Sequence, residues 1–147
     1  MAALRAAPLF GQLTDEQLRL IAFGARKRAF DAGEVLFREG RSADGGVVLV
    51  RGYVELTDDA GGRLEVDPGG LIAELALVAR RPHTHTATAT TEGVMMTIER
   101  ALFRRMVEEY PDIAGHLRRR IAARLDGLLH RIEPFPDRLR NAAGDVG

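Results

Sequence analysis

The sequence predicts an α+β chain, mainly β, in which helices flank a β barrel or sandwich. Three observations predict it. A capped apolar segment lies near the start, short apolar runs cut by turn signals fill the middle, and apolar residues at helical spacing return from Arg100 onward. The 147 residues suit one domain, and 46% apolar residues can fill its core without disulfides.

Each element has a local reason. Thr14 and Gln17, in TDEQ, read as a capping box for a helix over 14–24 that carries Leu18, Leu20, Ile21 and Phe23. Pro8 separates it from a shorter first helix. From 26 to 99, turns at 32–33, Gly40, 44–46, Gly52, 59–62 and 68–70 leave strands at 27–30, 34–38, 47–51, 53–57, 63–66, 84–90 and 94–98. Residues 53–57 and 63–66 make a hairpin about the turn at 59–62. Residues 74–79, ELALVA, break the rule and favour a turn or two of helix inside the β region. A helix from Arg100 ends or bends at Pro111. A second runs from about 112 to 132, with Ile113, Leu117, Ile121, Leu125, Leu128 and Ile132 along one side. Pro134 and Pro136 stop it. The expected division is a domain over 1–133 and a loose tail over 134–147, with no helix-turn-helix segment.

Composition removes several functions. The chain has no cysteine, which excludes disulfides, thiolate metal sites and a cysteine nucleophile. Lys+Arg and Asp+Glu number 21 each, so no whole-chain basic footprint for nucleic acid exists. No apolar run approaches the ~20 residues that span a bilayer, and MAALRAAPLF is too short and weakly apolar for a signal peptide. A cytoplasmic protein is expected. No nucleophile–base pair, metal constellation or phosphate loop is present, so no catalytic residue, metal or cofactor is assigned.

Three segments in order carry a family resemblance: AGEVLFREG at 32–40, VRGYV at 50–54 and PGGLIAELAL at 68–77. Together they resemble the cyclic nucleotide-binding domain, nearest to the sensor half of catabolite-activator type bacterial regulators. The resemblance covers residues 5 to about 132. It implies an eight-stranded β-roll, or jelly-roll barrel, with a short cassette helix inside, one or two N-terminal helices and two C-terminal helices. It places Gly33, Gly40 and Gly52 at barrel corners, where φ is positive.

The family's phosphate-binding cassette reads Gly-Glu, a short helix, then Arg followed by Ser or Thr and small residues. A helix start and its free N–H groups suit an anionic phosphate, and Arg adds a charge-assisted, forked contact. Carried over, Glu74 takes the ribose 2′-hydroxyl, and Ala73 stands where Gly is usual. Leu75 and Ala76 supply backbone N–H groups, and Thr84 supplies hydroxyl and N–H. The Arg position falls on His83, nine residues after Glu74. Losing a charged partner to a desolvated phosphate costs about 2–5 kcal/mol. A histidine recovers part of this with one donor instead of a fork.

Plainer readings stand beside these. Glu74 also suits the first turn of a short helix. His83 and His85 share a face if their segment is a strand, but lack a carboxylate or Cys for a metal site. Arg118, Arg119 and Arg120 read as a solvated helix face, and Met95 and Met96 as core filling. The resemblance adds a parallel homodimer seam at Ile121, Leu125, Leu128 and Ile132. The expected function is a non-catalytic sensor that binds a small anion such as cAMP or cGMP and signals through its last helix to a partner protein, without binding DNA directly. The alternative is a degenerate fold without nucleotide affinity, used for dimerisation or docking.

Overall fold

A computed structural model describes residues 2–7, 10–116 and 118–120. Among them, eight strands form two four-stranded antiparallel sheets that roll against each other, with helices before and after. The order is α1 (Ala2–Ala6), a 3-10 turn (Phe10–Gln12), α2 (Asp15–Gly24), β1 (Arg26–Phe30), β2 (Val35–Phe37), β3 (Gly45–Arg51), β4 (Val54–Thr57) and β5 (Arg63–Val66). Then follow β6 (Leu71–Ile72), a second 3-10 turn (Glu74–Leu77), β7 (Thr86–Ala89), β8 (Gly93–Glu99) and α3 (Arg100–Glu109). Residues 111–116 and 118–120 are helical as well. One sheet runs β1-β8-β3-β6 and the other β2-β7-β4-β5.

Alternation along two strands builds two cores. On β3, Val47 and Leu49 face the inside of the roll and Val48 faces the helices. On β8, Met95 faces inward, while Met96 and Ile98 meet the helices. The inner core adds Phe30, Leu56, Val66, Ile72, Ala87 and Ala89. The outer core adds Leu4, Phe10, Leu18, Ile21, Phe103 and Ile113 from both helical ends. Phe10 and Phe103 meet edge to face at 6.3 Å, joining the N-terminal turn to α3.

The caps follow the residues. Thr14 Oγ1 accepts from the Gln17 N–H at 3.2 Å, and Gln17 Oε1 accepts from the Thr14 N–H at 3.0 Å. The same Gln17, buried, donates through Nε2 to both Asp112 carboxylate oxygens, at 3.3 and 3.4 Å. Pro111 begins the next helix rather than only ending α3, a first-turn position where its missing N–H is no loss. Gly33, Gly40 and Gly52 have φ of 86°, 87° and 90°.

The expected hairpin forms, with Val54 opposite Val66 and Leu56 opposite Leu64. Two expectations need correction. β6 is absent from the expected strands, because two residues carry no alternation to read; it pairs with Val47 and Val48. The strand expected over 84–90 begins only at Thr86. Pro82 bridges Ser42, and the His83 N–H and C=O bond to Arg41 O at 2.7 Å and Gly40 N at 2.8 Å. Those bonds hold the chain to the loop after β2 and keep 83–85 out of the sheet. The seam residues Leu117, Ile121, Leu125, Leu128 and Ile132, and the tail at 134–147, lie outside the described residues.

Phe103 is 1% exposed and closes the outer core. Phe103→Ala is expected to cost about 3–5 kcal/mol of stability, measured by urea unfolding. A cost under about 1 kcal/mol would mean that α3 does not seal this core.

Candidate functional site

Between the two sheets, beside the Glu74–Leu77 turn, lies a cavity of about 140 Å³. Its wall includes Ala73, Glu74, Ala76, His83, Thr84 and His85, with Phe37, Leu56 and Arg81 beside them. Five of the six expected cassette residues therefore meet at one cavity, and Leu75 does not line it.

The turn begins at Ala73, whose φ of 58° and ψ of 43° are left-handed. A side chain there costs about 1–2 kcal/mol relative to a right-handed residue. Ala76 N–H donates to Ala73 O at 3.0 Å, so this amide is spent on the turn itself. Leu77 packs outward into the helical core, close to Gly46 of β3, where an added Cβ would meet its side chain at 2.9 Å. That close approach seats the turn on the sheet.

Glu74 is 4% exposed, and its Oε1 accepts a hydrogen bond from Arg120 Nε at 2.8 Å. The pair joins the cassette turn to the end of the described C-terminal helix. Arg120 therefore departs from the solvated face expected of it, while Arg118 and Arg119 remain exposed. A buried carboxylate requires a partner, and an arginine 46 residues away supplies one. A local charge pattern has no means of indicating it.

His83 lies flat on Phe37, with ring centroids 3.7 Å apart and 12° between planes. Burial pushes the imidazole below its ordinary pKa, and the Asp44 carboxylate opposes this in part. Phe37 and His83 also line a second cavity of about 370 Å³ beneath Arg26, Lys27 and Arg28, so the stacked pair stands between the two spaces. Phe37 belongs to the AGEVLFREG stretch, yet the sequence alone marks it only as a strand residue.

Thr84 Oγ1 sits 2.8 Å from His85 Nδ1, and His85 Nε2 lies 3.6 Å from Asp58 Oδ2. Asp58 follows β4 and also accepts from the Gly62 N–H at 2.7 Å in the hairpin turn. The two histidines thus have separate partners, one aromatic and one acidic. Among the described residues no cluster of three metal-ligating side chains occurs, and no helix is long and apolar enough to cross a membrane.

The comparisons with known proteins fit this geometry. Residues 27–110 match the cyclic nucleotide-binding domain. The chain belongs to that family. The N-terminal domain of a transcriptional regulator from Streptomyces coelicolor A3(2) superposes with a TM-score of 0.78 at 31% identity, covering 88% of this chain and 94% of that one. Catabolite Activator Protein from Thermus thermophilus superposes at 0.75, over 88% of this chain and 63% of that one; its 21% identity speaks to the fold alone. The cAMP-dependent protein kinase regulatory subunit of Yarrowia lipolytica is 28% identical over 129 residues, 88% of this chain and 32% of that protein. The chain spans about a third of the length of the curated relatives it matches.

Two outcomes follow. Ala73→Gly should raise stability by roughly 0.5–1 kcal/mol, because relief of the left-handed strain exceeds the usual entropic loss at glycine. A loss of 1 kcal/mol in thermal unfolding would place this backbone elsewhere. His83 binds protons less readily folded than unfolded, so its contribution is fully present above about pH 6.5 and declines as pH falls through that value toward the folded pKa. His83→Gln should flatten the loss of stability between pH 7 and pH 5 in urea titrations, and an unchanged slope would deny the burial.

Proposed function

We propose that the chain is a non-catalytic sensor module that takes a cyclic nucleotide, cAMP or cGMP, in the cassette cavity and signals through its C-terminal helix. The observation that carries this reading is Glu74, a buried carboxylate at a cavity wall, tied to that helix by Arg120. A ribose 2′-hydroxyl donating to Glu74 competes with the guanidinium for the same oxygen. Ligand binding then loosens Arg120 and shifts the population of helix positions. Thr84 faces the phosphate, and the base lies toward the helices.

In this reading His83 stands where the family carries an arginine. It offers one N–H in place of a fork, and its burial disfavours the charge that a phosphate needs. Affinity is therefore weakened by about 2–5 kcal/mol relative to an arginine pocket. The relatives' names are consistent with a regulatory role: a kinase regulatory subunit and a transcriptional regulator's N-terminal domain. Pairing of two copies along Ile121, Leu125, Leu128 and Ile132, a cytoplasmic location and a partner protein that receives the signal belong to the same proposal.

A second reading has its own support. Glu74 already has Arg120, and His83 already has Phe37. A pocket so satisfied suits a docking or dimerisation module that has lost nucleotide affinity.

Thermal unfolding with cAMP or cGMP separates the two. A ligand at a hundred times its dissociation constant adds about 2.7 kcal/mol, a rise of a few degrees for a domain of this size. His83→Arg should raise nucleotide affinity at least tenfold by calorimetry. No shift with either nucleotide, together with no gain from the arginine, would leave the docking module.

A further inference from the structure

His85 has no role in the proposed phosphate contacts, yet it lies between two polar side chains beside the cavity, Thr84 and Asp58. It is about a quarter exposed, Asp58 about 15% exposed, and Thr84 and His85 both line the wall. We propose that Asp58 and His85 form a positioning chain that sets the direction of the Thr84 hydroxyl, so that the cavity accepts an anionic oxygen there together with a proton on His85. The ligand class rests on the sensor reading above; the chain itself rests on the distances.

Asp58 Oδ2, 3.6 Å from Nε2, lies at ion-pair rather than hydrogen-bond range, and a carboxylate there favours a proton on Nε2. A neutral ring protonated on Nε2 leaves Nδ1 as an acceptor. At 2.8 Å the Thr84 hydroxyl then donates to Nδ1. Its one proton is spent on the ring, and its oxygen shows the cavity only lone pairs, which repel an anion. An anionic oxygen reverses the order. Thr84 donates to the anion and accepts from Nδ1, which requires a proton on both ring nitrogens. That proton comes from solvent, and no covalent bond changes.

The charged surroundings agree. Asp58 faces the ring from the β4–β5 turn, and Glu39 ends on the neighbouring Asp59 amide at 3.0 Å. Across the cavity stand Glu74 with Arg120, Arg81 and His83. His83 lies against Phe37, where burial opposes its charge.

Nitrogen-15 spectra of the histidine rings of the whole chain, with calorimetry of cAMP and cGMP in two buffers of different ionisation enthalpy, test this. Without ligand, His85 should show the Nε2–H tautomer, and Asp58→Asn, which keeps the acceptor for Gly62, should shift it. With nucleotide, about one proton should be taken up per site near pH 7. His85→Gln and Thr84→Val should abolish the uptake, whereas Thr84→Ser retains it. A ring protonated on Nδ1 without ligand overturns the chain whether or not nucleotide binds, as does uptake that survives His85→Gln. If neither nucleotide binds at pH 7 or pH 6, the sensor reading fails, and an Nε2–H ring that answers to Asp58→Asn still upholds the chain.

Discussion

Strand β3 is the constraint on which the rest of the structure depends, because it is buried on both faces. Val47 and Leu49 serve the inside of the roll, Val48 serves the helical layer, and Gly45 and Gly46 allow close approach at its start. A Cβ at Gly45 would lie 2.0 Å from Ile98 O, and one at Gly46 would strike Leu77. The strand that pairs with β8 and β6 is therefore also the platform on which the cassette turn sits. Leu77 of the turn belongs to the helical core. The cavity wall and the packing of the helices are adjacent in this chain.

The sequence made much of this legible, for physical reasons that differ by element. The capping box is a local contact three residues long, so Thr14 and Gln17 announce it. The hairpin is legible because a glycine-rich turn separates two short strands. The positive φ at Gly33, Gly40 and Gly52 follows from glycine's freedom at corners. β6 is illegible because two residues cannot show a period. The departure of 83–85 from strand geometry is set by bonds to Gly40 and Arg41, which lie some forty residues earlier.

The candidate site divides the same way. Ala73, Glu74, Ala76, His83 and Thr84 meet at one cavity, because the turn after β6 of one sheet faces the segment that leads into β7 of the other. The partners that decide their chemistry come from elsewhere. Phe37 comes from β2, Asp58 from the hairpin, and Arg120 from the far end of the described chain. Each is a tertiary neighbour with no periodic signature. Charge pattern assigned Arg120 to solvent because it counts neighbours along the helix and does not register a buried acid opposite it.

The Glu74–Arg120 pair also sets a thermodynamic limit on the proposed signal. The carboxylate is buried, so part of what compensates its desolvation is the guanidinium. A ribose hydroxyl that takes over the same oxygen replaces a charged donor with a neutral one, which favours the ligand less than an empty acceptor would. Affinity is lowered by that competition, and the same free energy is what reaches the helix. By linkage the coupling is reciprocal: whatever holds the helix with Arg120 on Glu74 weakens the ligand by the factor that the ligand weakens the contact. A sensor built this way gains responsiveness only by giving up affinity. On the proposed reading, a pocket without a fixed cation at position 83 therefore works best where the nucleotide is abundant.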